Sequence, residues 1–304
     1  MWSDKRYHSL NYEFKKIFGE KIIKLSIDGG FTCPTRDGTK DTKGCIFCSE
    51  RGSGDFAGFS STHIHGQMKE QINLLKNKWP NGKYIAYFQN FSNTYDDIER
   101  LRERYEKALE FENIVGLAIA TRPDCISKEI VDYLSTLNKK TFLWVELGLQ
   151  TSNDSTGEFI RRGYSSKDFD NAVDLLNNAQ IRAVGHVILN LPGETKLDFE
   201  NTIRQMTKKN IWGIKIHMLH ILKNTDLYKY YLENPFPLLS QEEYVKLVCD
   251  LLEIIPNEVV IHRLTGDGPR ELLHEPLWTG DKRRTLNSID KELKKRNTLQ
   301  GFRV

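Results

Sequence analysis

Residues 22–48 read IIKLSIDGGFTCPTRDGTKDTKGCIFC: a six-residue run in which four residues are Ile or Leu enters a polar loop that holds Cys33, Cys45 and Cys48. A short run like residues 22–27, rich in Ile and Leu, is expected to form a β-strand. Working outward, similar runs recur at 84–88, 115–120, 143–147, 183–189 and 214–219. Between them lie segments with helical periodicity at 62–78, 96–111, 128–137, 167–179 and 196–209. Strand–helix alternation of this kind gives a parallel sheet with helices packed outside it. Six βα units exceed a mononucleotide-binding half and fall short of the eight of a closed barrel. The expected fold is therefore α/β, an open partial (βα)6 parallel barrel.

Beyond the sixth strand a helix (241–255), a strand (259–263) and a basic helix (283–296) predict a C-terminal β/α extension. In the basic helix Leu286, Ile289 and Leu293 recur at helical spacing, so one face packs while lysines and arginines face water. The organisation read here is a barrel over 1–225 and an extension over 226–304.

The chain has five cysteines, an odd number, and three of them fall between residues 33 and 48. Such a cluster reads as metal-binding or catalytic rather than as a disulfide framework. The loop follows the first strand, and in parallel barrels the loops after strands gather at the end where chemistry occurs. Three readings stay open on the residues alone. A zinc site would take a fourth ligand, His63 or His65. The cysteines are otherwise unrelated, or they hold an iron–sulfur cluster with one iron left free, since such clusters normally take four cysteines.

No apolar run approaches the length that spans a bilayer, and the first residues carry no secretory signal, so a cytoplasmic protein without membrane contact is expected. Net charge is +3, but residues 1–24 and 282–304 together contribute +9, leaving −6 for the body between them. Basic ends beside an acidic body suggest a polyanionic partner such as RNA. A solvated helix face is the alternative.

The cysteine loop resembles the cluster-binding loop of the radical S-adenosylmethionine (SAM) superfamily in a spaced-out form, with Phe47 where members keep an aromatic before the third cysteine. The resemblance implies a 4Fe–4S cluster on Cys33, Cys45 and Cys48. It further implies SAM chelating the free iron, and reductive cleavage to a 5′-deoxyadenosyl radical fed by a donor such as flavodoxin or ferredoxin. Later strand ends carry matching signatures. QNFSNTY (89–95) stands where members have a glycine-rich turn that holds the SAM amino group, so Ser92, Asn93 and Thr94 are carried over, with capping of the next helix as the other reading. ATRPD (120–124) and VELGLQT (145–151) resemble the radical SAM domain of Elongator's catalytic subunit and the oxygen-independent coproporphyrinogen oxidases. In those relatives a glutamine, and an arginine twelve residues on, contact SAM; Gln150 and Arg162 match. VGHVILNLPGET (184–195) places His186 where the SAM ribose is met, with Asn190 replacing a glycine.

KIHMLHILKNT (215–225) offers His217 and Lys223 as substrate-site candidates, and alternation leaves open which face of that strand looks inward. The stretch 259–278, with Arg263, Asp267 and Arg270 near a glycine-rich turn, resembles the bacterial family known from YhcC and YtqA, as does the final TLQG. That kinship implies a tRNA substrate, with a wobble-uridine side chain such as carboxymethylaminomethyluridine as target. No cobalamin motif, second cluster, acetyltransferase domain or methylthiotransferase N-terminal domain is expected. A small-molecule substrate, or a non-enzymatic zinc-containing RNA-binding module, are the alternatives.

Overall fold

A computed structural model describes every residue of the chain except 53, 78, 80, 81 and 267. The end of the expected helix 62–78, and the candidate Asp267, thus lie outside the described residues. In chain order the elements are α1 (Leu10–Phe18), β1 (Ile22–Ile27), α2 (Ile64–Leu75), β2 (Lys83–Phe88), α3 (Ile98–Leu109), β3 (Ile114–Thr121), α4 (Lys128–Asn138) and β4 (Phe142–Gln150). There follow α5 (Asp154–Phe159), α6 (Ser166–Asn178), β5 (Arg182–Leu189), α7 (Lys196–Lys208), β6 (Gly213–Met218), β7 (Ile221–Leu222) and α8 (Asp226–Glu233). The chain closes with α9 (Gln241–Ile254), β8 (Val260–Arg263), β9 (Leu273–Glu275) and α10 (Lys282–Arg296).

Seven strands form one parallel sheet in the order β1-β2-β3-β4-β5-β6-β8. It curls into a half-barrel, and all six strands expected from the alternation are in it. β8, read as part of the extension, joins as a seventh strand beside β6, while β7 and β9 form a small antiparallel pair.

The two faces of the large sheet are covered in different ways. Outward residues such as Leu25, Ala86, Leu117, Val145 and Ile216 pack under the helices. Inward residues near the strand starts (Ile22, Ile85, Trp144, Val184, Val260) pack instead on Leu10 and Phe14 of α1. That helix plugs the lower end of the half-barrel. It is capped by Ser9 and ends at Gly19, whose φ of +76° suits a residue without Cβ. The closing TLQG ties the two ends of the chain together through Gln300. This side chain, fully buried, accepts from the His8 backbone N–H at 2.8 Å and donates to the carbonyls of Pro256 and Val259. Among the described residues no helix is long and apolar enough to cross a membrane.

Candidate active site

The loop after β1 is folded by its own backbone. Arg36 N–H reaches Cys33 O at 2.8 Å, Gly44 N–H reaches Thr35 O at 2.7 Å, and Cys48 N–H reaches Cys45 O at 3.1 Å. Gly44 needs its φ of +72°, and a Cβ there would meet the Arg36 side chain at 2.8 Å. Ile46 fastens the loop to the neighbouring elements, donating to Ile160 O (3.1 Å) and accepting from Leu227 N–H (2.8 Å). Folded this way, Cys33, Cys45 and Cys48 line one cavity of about 540 Å³, with Phe47 beside them.

The thiols do not stand in neutral surroundings. A hydrogen bond from Cys48 pulls the Cys45 thiol below its ordinary value, against burial and helped by Arg122, Arg36 and Arg161. Cys33 Sγ accepts from Ser92 Oγ–H at 3.5 Å and lies 3.8 Å from Arg122 Nη1. Cys125 and Cys249 are buried elsewhere, and burial pushes both thiols up to about 12. Neither histidine weighed as a zinc ligand joins the cysteines. His63 Nδ1 caps α2 by accepting from Gly66 N–H at 3.0 Å, and His65 Nε2 lies 2.6 Å from Lys107 O. Among the described residues no set of three or more His, Cys, Asp or Glu is arranged to hold a metal ion. An iron–sulfur cluster asks for something different: several thiolates on one cavity, each for its own iron. Cys33, Cys45 and Cys48 are three thiols lining one cavity, which is the kind of donor such a cluster takes.

The turn after β2 splits in two. Ser92 faces the cavity. Asn93 and Thr94 face β3, through Asn93 Nδ2 to Ala120 O (2.7 Å) and Thr94 Oγ1 to Thr121 Oγ1 and Cys125 O (both 2.7 Å). Neither caps α3, whose N-cap is Asp97. At the end of β4 the pairing with β5 slips between Gly148 and Gln150, and Gln150 sits at φ +60°. This irregularity aims its side chain into the cavity, where its Oε1 accepts from Tyr164 at 2.8 Å. Arg162 is 1% exposed and lies behind that wall. Its guanidinium donates to the carbonyls of Leu149 (2.6 Å), Thr151 (2.5 Å) and Tyr164 (2.9 Å) and to Asp154 Oδ1 (2.7 Å). It thereby shapes the turn that presents Gln150.

His186, His217 and Arg263 line the cavity, so Lys215 and His217 form the inward face of β6 while Ile216 packs outward. Lys223 is exposed and outside the cavity, and Arg270 stands by a separate surface groove with Trp278. Sequence reasoning missed what holds the cavity floor together. Glu146 of β4, fully buried, accepts from Tyr87 Oη (2.8 Å), Trp144 Nε1 (2.8 Å), His186 Nε2 (3.0 Å) and Lys215 Nζ, with Lys24 Nζ at 4.0 Å. Burial alone would raise its carboxyl, but Lys215, Lys24 and His186 hold it well below the ordinary carboxylate range. Burial, then Lys215, lower His186 to about 4, so its ring is neutral. The available signal was an acid inside VELGL and a lysine inside GIKIHM, each an ionisable residue in a run otherwise apolar.

Residues 42–206 match the family model for the radical SAM superfamily, and residues 211–295 match the model for a radical SAM C-terminal domain. The chain belongs to the radical SAM superfamily. YtqA of Bacillus subtilis (strain 168) is 46% identical over 299 residues, covering 98% of this chain and 93% of that protein. A tRNA uridine(34) acetyltransferase of Methanocaldococcus jannaschii is 26% identical over 163 residues, 52% of this chain and 29% of that longer protein. Among solved structures, Elp3 of Methanocaldococcus infernus superposes with a TM-score of 0.69 at 16% identity, over 92% of this chain and 64% of that one, a likeness of fold. The chain is thus a radical SAM enzyme, and its family membership implies a 4Fe–4S and SAM cofactor system.

Proposed function

We propose that Cys33, Cys45 and Cys48 hold the 4Fe–4S cluster, that SAM lies across the same cavity, and that the reaction modifies the side chain of a tRNA wobble uridine. The observation that carries the reading is the convergence of the three loop cysteines on one cavity at the C-terminal end of a parallel half-barrel. When bound, cluster and SAM supply one-electron cleavage of a carbon–sulfur bond and with it hydrogen abstraction.

The chain's own residues bind, orient and shield. Phe47 covers the cluster side. Ser92 fixes Cys33 through its hydroxyl and, with Gln150, meets the polar groups of SAM. Asn93 and Thr94 support Ser92 from behind. Arg162 serves through Gln150, by holding the carbonyls on either side of it. His186, neutral and oriented by Glu146, takes the ribose. His217 and Arg263, further around the same wall, face substrate. The apolar plug under the floor keeps bulk water out from below.

The substrate assignment is supported by kinship to the tRNA uridine(34) acetyltransferase and by the cationic terminal helix α10. Within that helix Arg296 is held by Asp250 (2.5 Å) and Glu292 (2.8 Å). The exposed Lys291 and Lys294 are the better candidates for phosphate contact. A flavodoxin or ferredoxin would supply the electron.

Two measurements test the reading. Anaerobically reconstituted protein, reduced with dithionite in the presence of SAM, should release 5′-deoxyadenosine. Nucleosides of tRNA from cells with and without the gene should differ at a single modified uridine. Unchanged nucleosides would send the substrate assignment to small molecules.

A further inference from the structure

Arg122 directly follows β3 in the ATRPD turn and is 7% exposed. Its fork is held in a fixed geometry: Nε and Nη2 each donate to Asp124 at 2.9 Å. The guanidinium also packs on the Tyr164 ring, 4.7 Å from its centroid. That leaves Nη1 turned to the cavity, 3.8 Å from Cys33 Sγ. Asp124 is in turn met by Lys40 Nζ at 2.6 Å, a residue of the cysteine loop itself. A cation, an anion and a second cation therefore run in line from the Cys33 sulfur to the surface.

Two physical facts give this row a consequence. A guanidinium stays charged at any working pH, so the positive end beside the sulfur is permanent. Cluster reduction adds one negative charge, and hydrogen bonds and charges at the sulfurs set how costly that is. The carboxylate of Asp124 offsets part of the Arg122 charge, and Lys40 offsets part of Asp124.

Resting on the reading that Cys33 is a cluster ligand, we propose that Arg122 is a positioning and potential-setting residue. It donates to the Cys33 sulfur and favours the reduced cluster, and Asp124 and Lys40 grade its effect. The row then works by charge in a predictable order. Arg122→Gln should shift the cluster midpoint potential to more negative values. Asp124→Asn should shift it to more positive values, because the guanidinium is no longer offset. Lys40→Met, removing a charge that is 42% exposed, should give a smaller negative shift. A latch acting only by shape would not produce opposite signs at Arg122 and Asp124.

The experiment is a redox titration of the reconstituted protein without SAM, followed by electron paramagnetic resonance of the reduced cluster. The SAM dissociation constant of each variant is measured alongside. Opposite shifts at Arg122 and Asp124 support the proposal. Unmoved potentials in loaded variants overturn it, as does a weakened SAM affinity in Arg122→Gln with its potential unchanged, which would make Arg122 a SAM ligand. Should Arg122→Gln fail to load iron, the Asp124→Asn and Lys40→Met shifts decide alone. Wild-type protein that loads no cluster would instead sink the proposed function.

Discussion

The mouth and the floor of the cavity are built in opposite ways. At the mouth, three cysteines come from one loop, and turns among residues 33–48 bring them together. At the floor, Lys24, Tyr87, Glu146, His186 and Lys215 come from five strands, β1, β2, β4, β5 and β6, and meet at one buried carboxylate. The mouth can lose a side chain and keep its backbone, whereas the floor is part of the fold. Chemistry can vary at the first with little cost in stability. At the second the two are inseparable.

The sharpest way to break this contrast is at the mouth. Cys33→Ala, Cys45→Ala or Cys48→Ala should each take iron from about four per chain to almost none. Melting of the iron-free proteins should stay close to that of wild type. Cys125→Ala should load normally. Iron assay and thermal melts on the same samples decide.

A floor variant should do the reverse. Glu146→Ala strands Lys215 and Lys24 beside an apolar gap, and breaking a buried ion pair in this manner costs roughly 3–5 kcal/mol. Denaturant titration of the iron-free protein measures it. A loss near zero would mean that the floor is not the structural half of the comparison.

Arg162 sits on the border between the two regions. Arg162→Lys keeps the charge but loses the fork that grips three carbonyls, so we expect a loss of about 1–3 kcal/mol. SAM affinity should weaken with it, since the Gln150 turn relaxes. Gln150→Ala should weaken SAM binding without the stability loss.

Acid should distinguish the regions more gently. In the folded protein His186 is lowered to about 4 against its ordinary 6.5, so between those values the unfolded chain takes a proton that the folded one refuses. The stability involved is present above pH 6.5 and lost as pH falls through about 4. Burial pushes the Glu194 carboxyl up to about 7, and it acts in the opposite sense: its contribution is present below 4.5 and lost as pH rises through about 7. The quantity to measure is therefore the difference between wild type and His186→Gln, which should shrink toward low pH. The smallest effect lies far from both regions. Lys291→Gln with Lys294→Gln should flatten the salt dependence of tRNA binding by about one unit of log–log slope per lost contact. Arg296→Gln should lower stability instead, since its partners are Asp250, Glu253 and Glu292.

The same contrast explains what the sequence disclosed. Strands at 22–27, 84–88, 115–120, 143–147, 183–189 and 214–219 were legible because short, mostly apolar runs rich in Ile, Val and Leu alternate with helical periodicity. The cysteines were legible because their convergence is local. Glu146 and Lys215 lie 69 residues apart and meet only once the sheet curls, and nothing in either run announces the partner. α1 escaped for a related reason: its apolar face packs into the barrel interior rather than on a neighbouring helix. Arg162 shows the limit of spacing. Twelve residues from Gln150 places it beside the cavity, while the direction of its guanidinium depends on which carbonyls the turn leaves unbonded.

The helix beneath the barrel also bears on traffic. With Leu10 and Phe14 seated against Trp144 and Val260, side chains fill the lower end of the half-barrel among the described residues. On the function proposed above, a molecule seated in the cavity would enter and leave at the loop end, and departure would then bear on turnover alongside bond breaking.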